Sequence, residues 1–344
     1  MENKKSIAVS VIMFVYNHEN YLRKALNGVV NQKTNFSFEI VVHDDASTDK
    51  SQEIIREYIG KYPELFVPIL QEENQLSKNP LFDLDIIYPR CIGKYFAYCE
   101  GDDFWSDPNK LQIQYDLLEK NSNCSICVHK VGSVKEDGTI LKRSYPAKNI
   151  VNHEDKILKS REVVAFHGLY PFQTSSYFIK KSVLDPMVQR RSKMVGILNP
   201  DEIMMYMALM KGDLYYCDKV MSYYRRGVPG SWTTTLKKEK VPCKIDFLKR
   251  SIRGQVIFDY ESGYLFHDIL QGKILSANLS ISQYSINEAN KLLNENKEYY
   301  QEPVLSIKQR IQYNIYKASP LFYSYLAKIS QFRRSWKQKM EIRA

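Results

Sequence analysis

No run of apolar residues in this 344-residue chain approaches the roughly 18 to 20 that a membrane-spanning helix needs, which excludes a spanning segment. The opening stretch, MENKKSIAVSVIMFVYN, is basic and then apolar like a secretory leader. No small-x-small cleavage site follows it, however, and Tyr16-Asn17 leads into a helix signal, so it is read as the first β-strand of a cytosolic protein. Cysteine is sparse and scattered, six in a chain long enough to build its core without staples, so free thiols are expected. Cys124 and Cys127 form a lone CxxC with no second pair at metal-site spacing, and are read as buried structural thiols. Internal repeats and low-complexity tracts are absent too, which excludes a repeat array. What is present is a globular composition, 44% hydrophobic and 12% aromatic, which argues against disorder. The net charge of +10 favours polyanionic neighbours: nucleic acid, an anionic membrane surface or phosphorylated ligands.

The first half alternates strand and helix signals, the pattern of a parallel sheet with helices on its faces. IAVSVIMFVY is a continuous β-branched run suited to a strand buried on both sides. From Glu19 to Gln32, Leu22, Ala25, Leu26, Val29 and Val30 fall on one helical face. FEIVVHDD reads as a second strand, and STDKSQEIIREYIGKY as a second helix with Ser47 or Thr48 as N-cap. LFVPIL and KYFAYCEGDD follow as third and fourth strands. Residues 122 to 235 mix short strand-like runs with one helix, PDEIMMYMALMKG, ended by Gly212. Beyond a boundary placed near residue 236, the composition turns to Lys-rich helical segments.

Polar residues gather where each strand ends: Tyr16-Asn17, Asp44-Asp45, and Glu100, Asp102 and Asp103 around Gly101. Open α/β sheets take ligands beyond the carboxyl ends of their strands, so these clusters are expected to converge. Adjacent carboxylates repel, and Asp102-Asp103 suits a hard divalent cation that keeps substrate phosphates as its other ligands; a solvated turn is the plain alternative. Asp44-Asp45 reads equally as an acidic helix start or as an acceptor for a nucleobase or ribose.

The order VSVIMFVYN, DDASTDKS, GKYFAYCEGDDFW with DPNKLQIQ, then NPDEIMMYMALMKGDLYYCDKVMSYYRRG, resembles the family 2 glycosyltransferases of the GT-A fold over roughly residues 6 to 235. The resemblance implies a Rossmann-like, mostly parallel sheet flanked by helices. A nucleotide-binding half would span about 1–121, an acceptor half 122–236, and a helical, basic region 237–344. It implies an inverting, metal-dependent transfer of a sugar from a nucleotide-diphosphate donor, with uridine as the expected base, to a glycan or lipid-linked glycan of a bacterial surface. Tyr16 and Asp45 would contact the uridine, Val15 and Asn17 would help to bind the nucleotide sugar, Asp102 would lie beside the ribose, and Asp103 would bind Mn²⁺ or Mg²⁺. Asp201 matches the family's catalytic base, with Glu202 as the neighbouring competitor. Many relatives carry a histidine after the YRR segment, where this chain has Gly227, so Arg225, Arg226 or Trp232 would help to hold the pyrophosphate. Trp105, Thr174 and Ser175 are weaker pocket residues, and His129 and His167 are read as structural.

Two other classes compete with this reading. A sugar-phosphate nucleotidyltransferase would need a glycine-rich, basic loop after the first strand, and FVYNHENYL has neither glycine nor Lys or Arg. A nucleic-acid-binding protein is disfavoured because the strand-end clusters are acidic. Near the end of the chain, Phe322, Tyr325, Ile329, Phe332 and Trp336 recur at helical spacing among basic residues. Such a helix either lies on an anionic leaflet or docks on its own protein.

Overall fold

The computed structural model describes residues 6–330 apart from 77, 80, 148–149, 153, 167–170, 185–191, 230, 232–240 and 301–305. The chain divides into two compact units, one of Met1–Val163, Gly168–Val195 and Pro200–Val228, the other of Val164–His167, Gly196–Asn199 and Pro229–Ala344.

In the first unit, β1 (Ile7–Val15), α1 (Glu19–Val30), β2 (Ser37–Asp44), α2 (Ser51–Lys61), β3 (Phe66–Leu70) and β4 (Tyr95–Glu100) are the strands and helices expected from the apolar periods. β1, β2, β3 and β4 pair in parallel. The short β5 (Phe104–Trp105) and α3 (Lys110–Lys120) follow, then β6 (Cys124–Lys135), β7 (Ile140–Tyr145), β8 (Lys156–Leu158), the six-residue α4 (Ser160–Ala165) and β9 (Phe178–Lys180). α5 (Pro200–Lys211) leads into the long β10 (Asp213–Arg226). The sheet order is β3-β2-β1-β4-β9-β6-β10-β5, with β7 paired to β6 and β8 to β10. β9 runs antiparallel to both β4 and β6, and so joins the two halves into one mostly parallel α/β sheet flanked by helices.

The core follows from burial of the expected faces. α1 buries Leu22, Ala25, Leu26 and Val29 against β1 and β4, whose residues from Val9 to Val15 and from Tyr95 to Cys99 are largely removed from water. Gly28 lets α1 lie directly on β5, because a Cβ there would stand 2.5 Å from the Trp105 carbonyl oxygen. One local expectation fails: α2 begins at Ser51, after Lys50, and Ser47 and Thr48 do not cap it. Both are drawn instead to the end of β1, where Asn17 offers partners across 30 residues of sequence. All six cysteines are free, and five of them, including Cys124 and Cys127, are buried.

Among its described residues the second unit carries the helices α6 (Val241–Glu261), α7 (His267–Ile281), α8 (Ile286–Glu295) and α9 (Ile307–Ala318), followed by a helical stretch at 320–330. α7 buries Leu270, Ile274, Leu275 and Leu279, and Phe258 stacks on Phe266 at 5.3 Å. Ser306 and Gln309 close a capping box on α9.

Candidate active site

β1 runs in register with β2 to Val15 and Asp44, and with β4 to Phe14 and Glu100. The Asp45 N–H donates to the Val15 carbonyl and the Gly101 N–H to the Phe14 carbonyl, each at 2.9 Å. The polar residues after three strands are thereby brought to one edge, at the carboxyl ends, where such sheets take ligands.

Asn17 holds the corner of that edge. It has φ +57°, a left-handed value that Asn tolerates; its N–H donates to Ser47 Oγ at 2.9 Å, and its Oδ1 accepts from the Thr48 N–H at 2.8 Å. Asp44 is fully buried and accepts from the Ser47 N–H and hydroxyl and from Gln52 Nε2. Asp45 accepts from the backbone N–H groups of Gln75 at 2.6 Å and Leu76 at 3.2 Å, which ties the loop after β3 to β2. Tyr16, next to Asn17, is 48% exposed.

The acids after β4 are under stronger constraint. Asp103 is 1% exposed; its Oδ1 accepts the Arg225 N–H at 2.8 Å, while the buried Oδ2 has no partner. Burial first, and then the charges of Asp102 and Glu100, push the Asp103 carboxyl well above the usual range, against the pull of Arg225. Burial, followed by the charges of Asp102 and Asp201, raises Glu100 to about 8. Asp201, in the first turn of α5, is pushed up to about 6 by burial, although backbone N–H groups of the helix start oppose the shift. Its charge acts on Glu100, so the acid on α5 and the acids after β4 share one field. Tyr177 lies in that field as well. It is fully buried, its hydroxyl has no partner, and burial, then Asp201 and Glu100, hold that hydroxyl protonated.

A partnerless buried carboxylate oxygen has the chemistry of a single ligand to a hard cation. Among the described residues, no cluster of three or more His, Cys, Asp or Glu side chains completes a metal cage.

The model of the family described as glycosyl transferase family 2 matches residues 10–185, just over half of the chain. The chain belongs to this family. An uncharacterised protein of Mycobacterium tuberculosis is 42% identical over 130 residues, which span 38% of this chain and 37% of that protein's own length. An uncharacterised glycosyltransferase of Methanocaldococcus jannaschii is 28% identical over 256 residues, 73% of this chain and 77% of that protein. The crystal structure of S. aureus TarS in complex with UDP-GlcNAc superposes with a TM-score of 0.65 at 16% identity, covering 96% of this chain and 92% of that one, a likeness of fold.

In this family 2 glycosyltransferase the expected site residues separate into two groups. Val15, Tyr16, Asn17, Asp45, Asp102, Asp103 and Asp201 all lie at the strand-end edge or in its field. Arg225 engages two of its three guanidinium nitrogens within the protein. Its Nε donates to the Asp102 carbonyl at 2.9 Å, its Nη1 to the Glu136 carbonyl at 2.8 Å, and its guanidinium lies 4.6 Å over the Tyr21 ring. Arg226 differs, since its Nη1 is buried without a partner. Trp105 is core rather than pocket: it is buried, its Nε1 donates to the Tyr98 carbonyl, and the Lys110 ammonium sits 3.9 Å over its ring. Ser175 is buried against the Ser222 hydroxyl at 3.1 Å, and Thr174 on the same turn is half-buried. Glu202, in the same first turn of α5, is buried, and its charge acts on Tyr206. His129 is structural, its Nδ1 bonded to the Lys130 carbonyl. Trp232 and His167 lie outside the described residues.

Two members of the cluster went unassigned in the sequence. Glu100 stands in the EGDD stretch itself, and its place one residue before Gly101 at a strand end was a usable signal. Tyr177 carried none, because an aromatic in an apolar run reads as core.

Proposed function

We propose that this enzyme transfers a sugar, with inversion, from a uridine-diphosphate donor to a hydroxyl of a glycan or lipid-linked glycan of a bacterial surface, at the inner face of the cytoplasmic membrane. Asp201 is the base. As the acceptor oxygen bonds to the anomeric carbon, the bond from that carbon to the diphosphate breaks, its electron pair leaves with the diphosphate, and Asp201 takes the hydroxyl proton. Asp103, through Oδ2, and the adjacent Asp102 would hold the cation. When bound, Mn²⁺ or Mg²⁺ supplies positive charge to the departing diphosphate. Arg226 adds a second cationic contact to it, and Tyr16 and Asp45 frame the base.

The observation that carries this reading is that the charge of Asp201 on α5 acts on Glu100 at the end of β4. With its carboxyl raised to about 6, in range for a base near neutral pH, Asp201 is supported as the base by this nearness to the β4 acids. The UDP-GlcNAc bound by TarS, on a similar fold, supports uridine as the base.

The test is thermal unfolding of the purified protein with UDP, GDP, CDP and dTDP, each with Mn²⁺ and with chelator, since a ligand that binds the native state raises its stability. A shift for UDP that requires Mn²⁺, retained in Asp201→Asn and lost in Asp103→Asn, is expected. A shift for another nucleotide alone refutes the uridine assignment, and a shift indifferent to Mn²⁺ refutes the metal site.

A further inference from the structure

The helical stretch at 320–330 turns its apolar side outward. Its inner side is small or polar: Ser324 is buried with its hydroxyl donating to the Ser282 carbonyl at 2.9 Å, and Tyr323 meets the Tyr316 ring edge-on at 5.7 Å. At about 100° per residue, Leu321, Phe322, Tyr325 and Leu326 fall on the opposite arc. They are exposed there, Leu321 by 76%, Tyr325 by 62% and Phe322 by 54%. On α9, Ile307 and Ile311, one turn apart, are exposed as well. Large apolar side chains gathered in this way mark a surface that something covers.

The charge of the same region identifies the occupant. Among the described residues from 306 to 330 there are four basic side chains, Lys308, Arg310, Lys317 and Lys328, and no Asp or Glu. A protein partner recognised by charge would leave a mixed pattern, whereas an amphipathic helix with an apolar face and almost purely cationic surroundings matches a negatively charged leaflet. We propose that the outward face of 320–330, with Ile307 and Ile311 of α9, docks on an anionic lipid surface. Leu321, Phe322 and Tyr325 enter the interface between headgroups and acyl chains, and Lys317 and Lys328 meet lipid phosphates. This names the surface by which the enzyme reaches the membrane location given above, and it does not rest on the assignment of the base or the metal.

The experiment is co-sedimentation of the full chain with vesicles of phosphatidylcholine alone and of phosphatidylcholine with phosphatidylglycerol in equal parts. Binding to the mixed vesicles is expected to be about tenfold or more tighter than to neutral ones, and to weaken with salt. The triple variant Leu321→Ser, Phe322→Ser, Tyr325→Ser alters exposed side chains, so its melting temperature is expected to hold while vesicle binding falls about tenfold. Equal binding to both vesicles, or undiminished binding by the variant, overturns the proposal. So does a concentration-dependent dimer that the variant dissolves, which would assign the face to a second copy. Nucleotide-dependent stabilisation is measured without vesicles, so failure here leaves the glycosyl-transfer reading intact.

Discussion

The backbone N–H of Arg225 donates to Oδ1 of Asp103 at 2.8 Å and leaves Oδ2 buried without a partner. The last residues of β10 thus clamp the acid after β4 in one orientation, while the Arg225 side chain bonds the Asp102 and Glu136 carbonyls. The clamp leaves a buried oxygen that a proton, a hydrogen-bond donor or a cation would satisfy.

Stability without metal is therefore expected to fall as pH rises. Glu100 has a native pKa of about 8 against 4.5 unfolded, so the native state holds the extra proton between those values. That contribution is complete below about 4.5 and is lost as pH rises through about 8. Raised Asp103 acts in the same direction. Melting temperature in chelator should decline across this window and recover with Mn²⁺; Glu100→Gln should flatten the decline. A melting temperature that rises with pH over the same range would contradict the assignment.

Asp201 must be ionised to accept a proton. With its carboxyl at about 6, turnover is expected to climb with pH through that value and to level off above it. Asp201→Asn should lower kcat about 10²- to 10⁴-fold with UDP affinity unchanged, read from steady-state kinetics beside a binding titration. Near-normal turnover in that variant would move the base elsewhere.

Arg225 and Arg226 are adjacent and are expected to fail differently. Arg225→Ala removes charge-assisted bonds to the Asp102 and Glu136 carbonyls and should cost about 1.5–3 kcal/mol in urea unfolding. Arg226→Ala should change stability by no more than about 1 kcal/mol while weakening UDP binding in the presence of Mn²⁺. Equal loss of stability in both would make Arg226 a second clamp.

Lys110 is fully buried, bonded to Gln114 Oε1 at 2.8 Å, and burial lowers its pKa to about 7. The unfolded chain binds the extra proton between about 7 and 10.5, so stability attributable to this residue rises with pH across that window. Lys110→Met, similar in length and uncharged, is expected to stabilise the protein most below pH 7 and to lose the advantage toward pH 10.5, as urea midpoints at several pH values would show.

The strands and helices of the first unit were legible because their apolar periods coincide with burial. Leu22, Ala25, Leu26 and Val29 on α1 were expected inward and are buried. The N-cap of α2 was not legible, because local propensity assigns Ser47 to its own helix while the folded chain bonds it to Asn17. Trp105 and Ser175 were misplaced for a similar reason. A polar or aromatic residue near a motif looks the same in sequence whether it faces a ligand or fills the core.

By itself, then, the sequence determined the parallel sheet, the position of the polar residues at the ends of β1, β2 and β4, and membership of a glycosyltransferase family. Periodicity and motif order are local, and they survive without coordinates. Only the tertiary structure decided that Asp201 and Glu100 share one field, that Asp103 keeps a bare oxygen while Arg225 is spent on carbonyls, and that residues 320–330 face outward. Each of these depends on which distant groups lose water together, and the dielectric and the hydrogen-bond partners of a side chain exist only once the chain has closed around it.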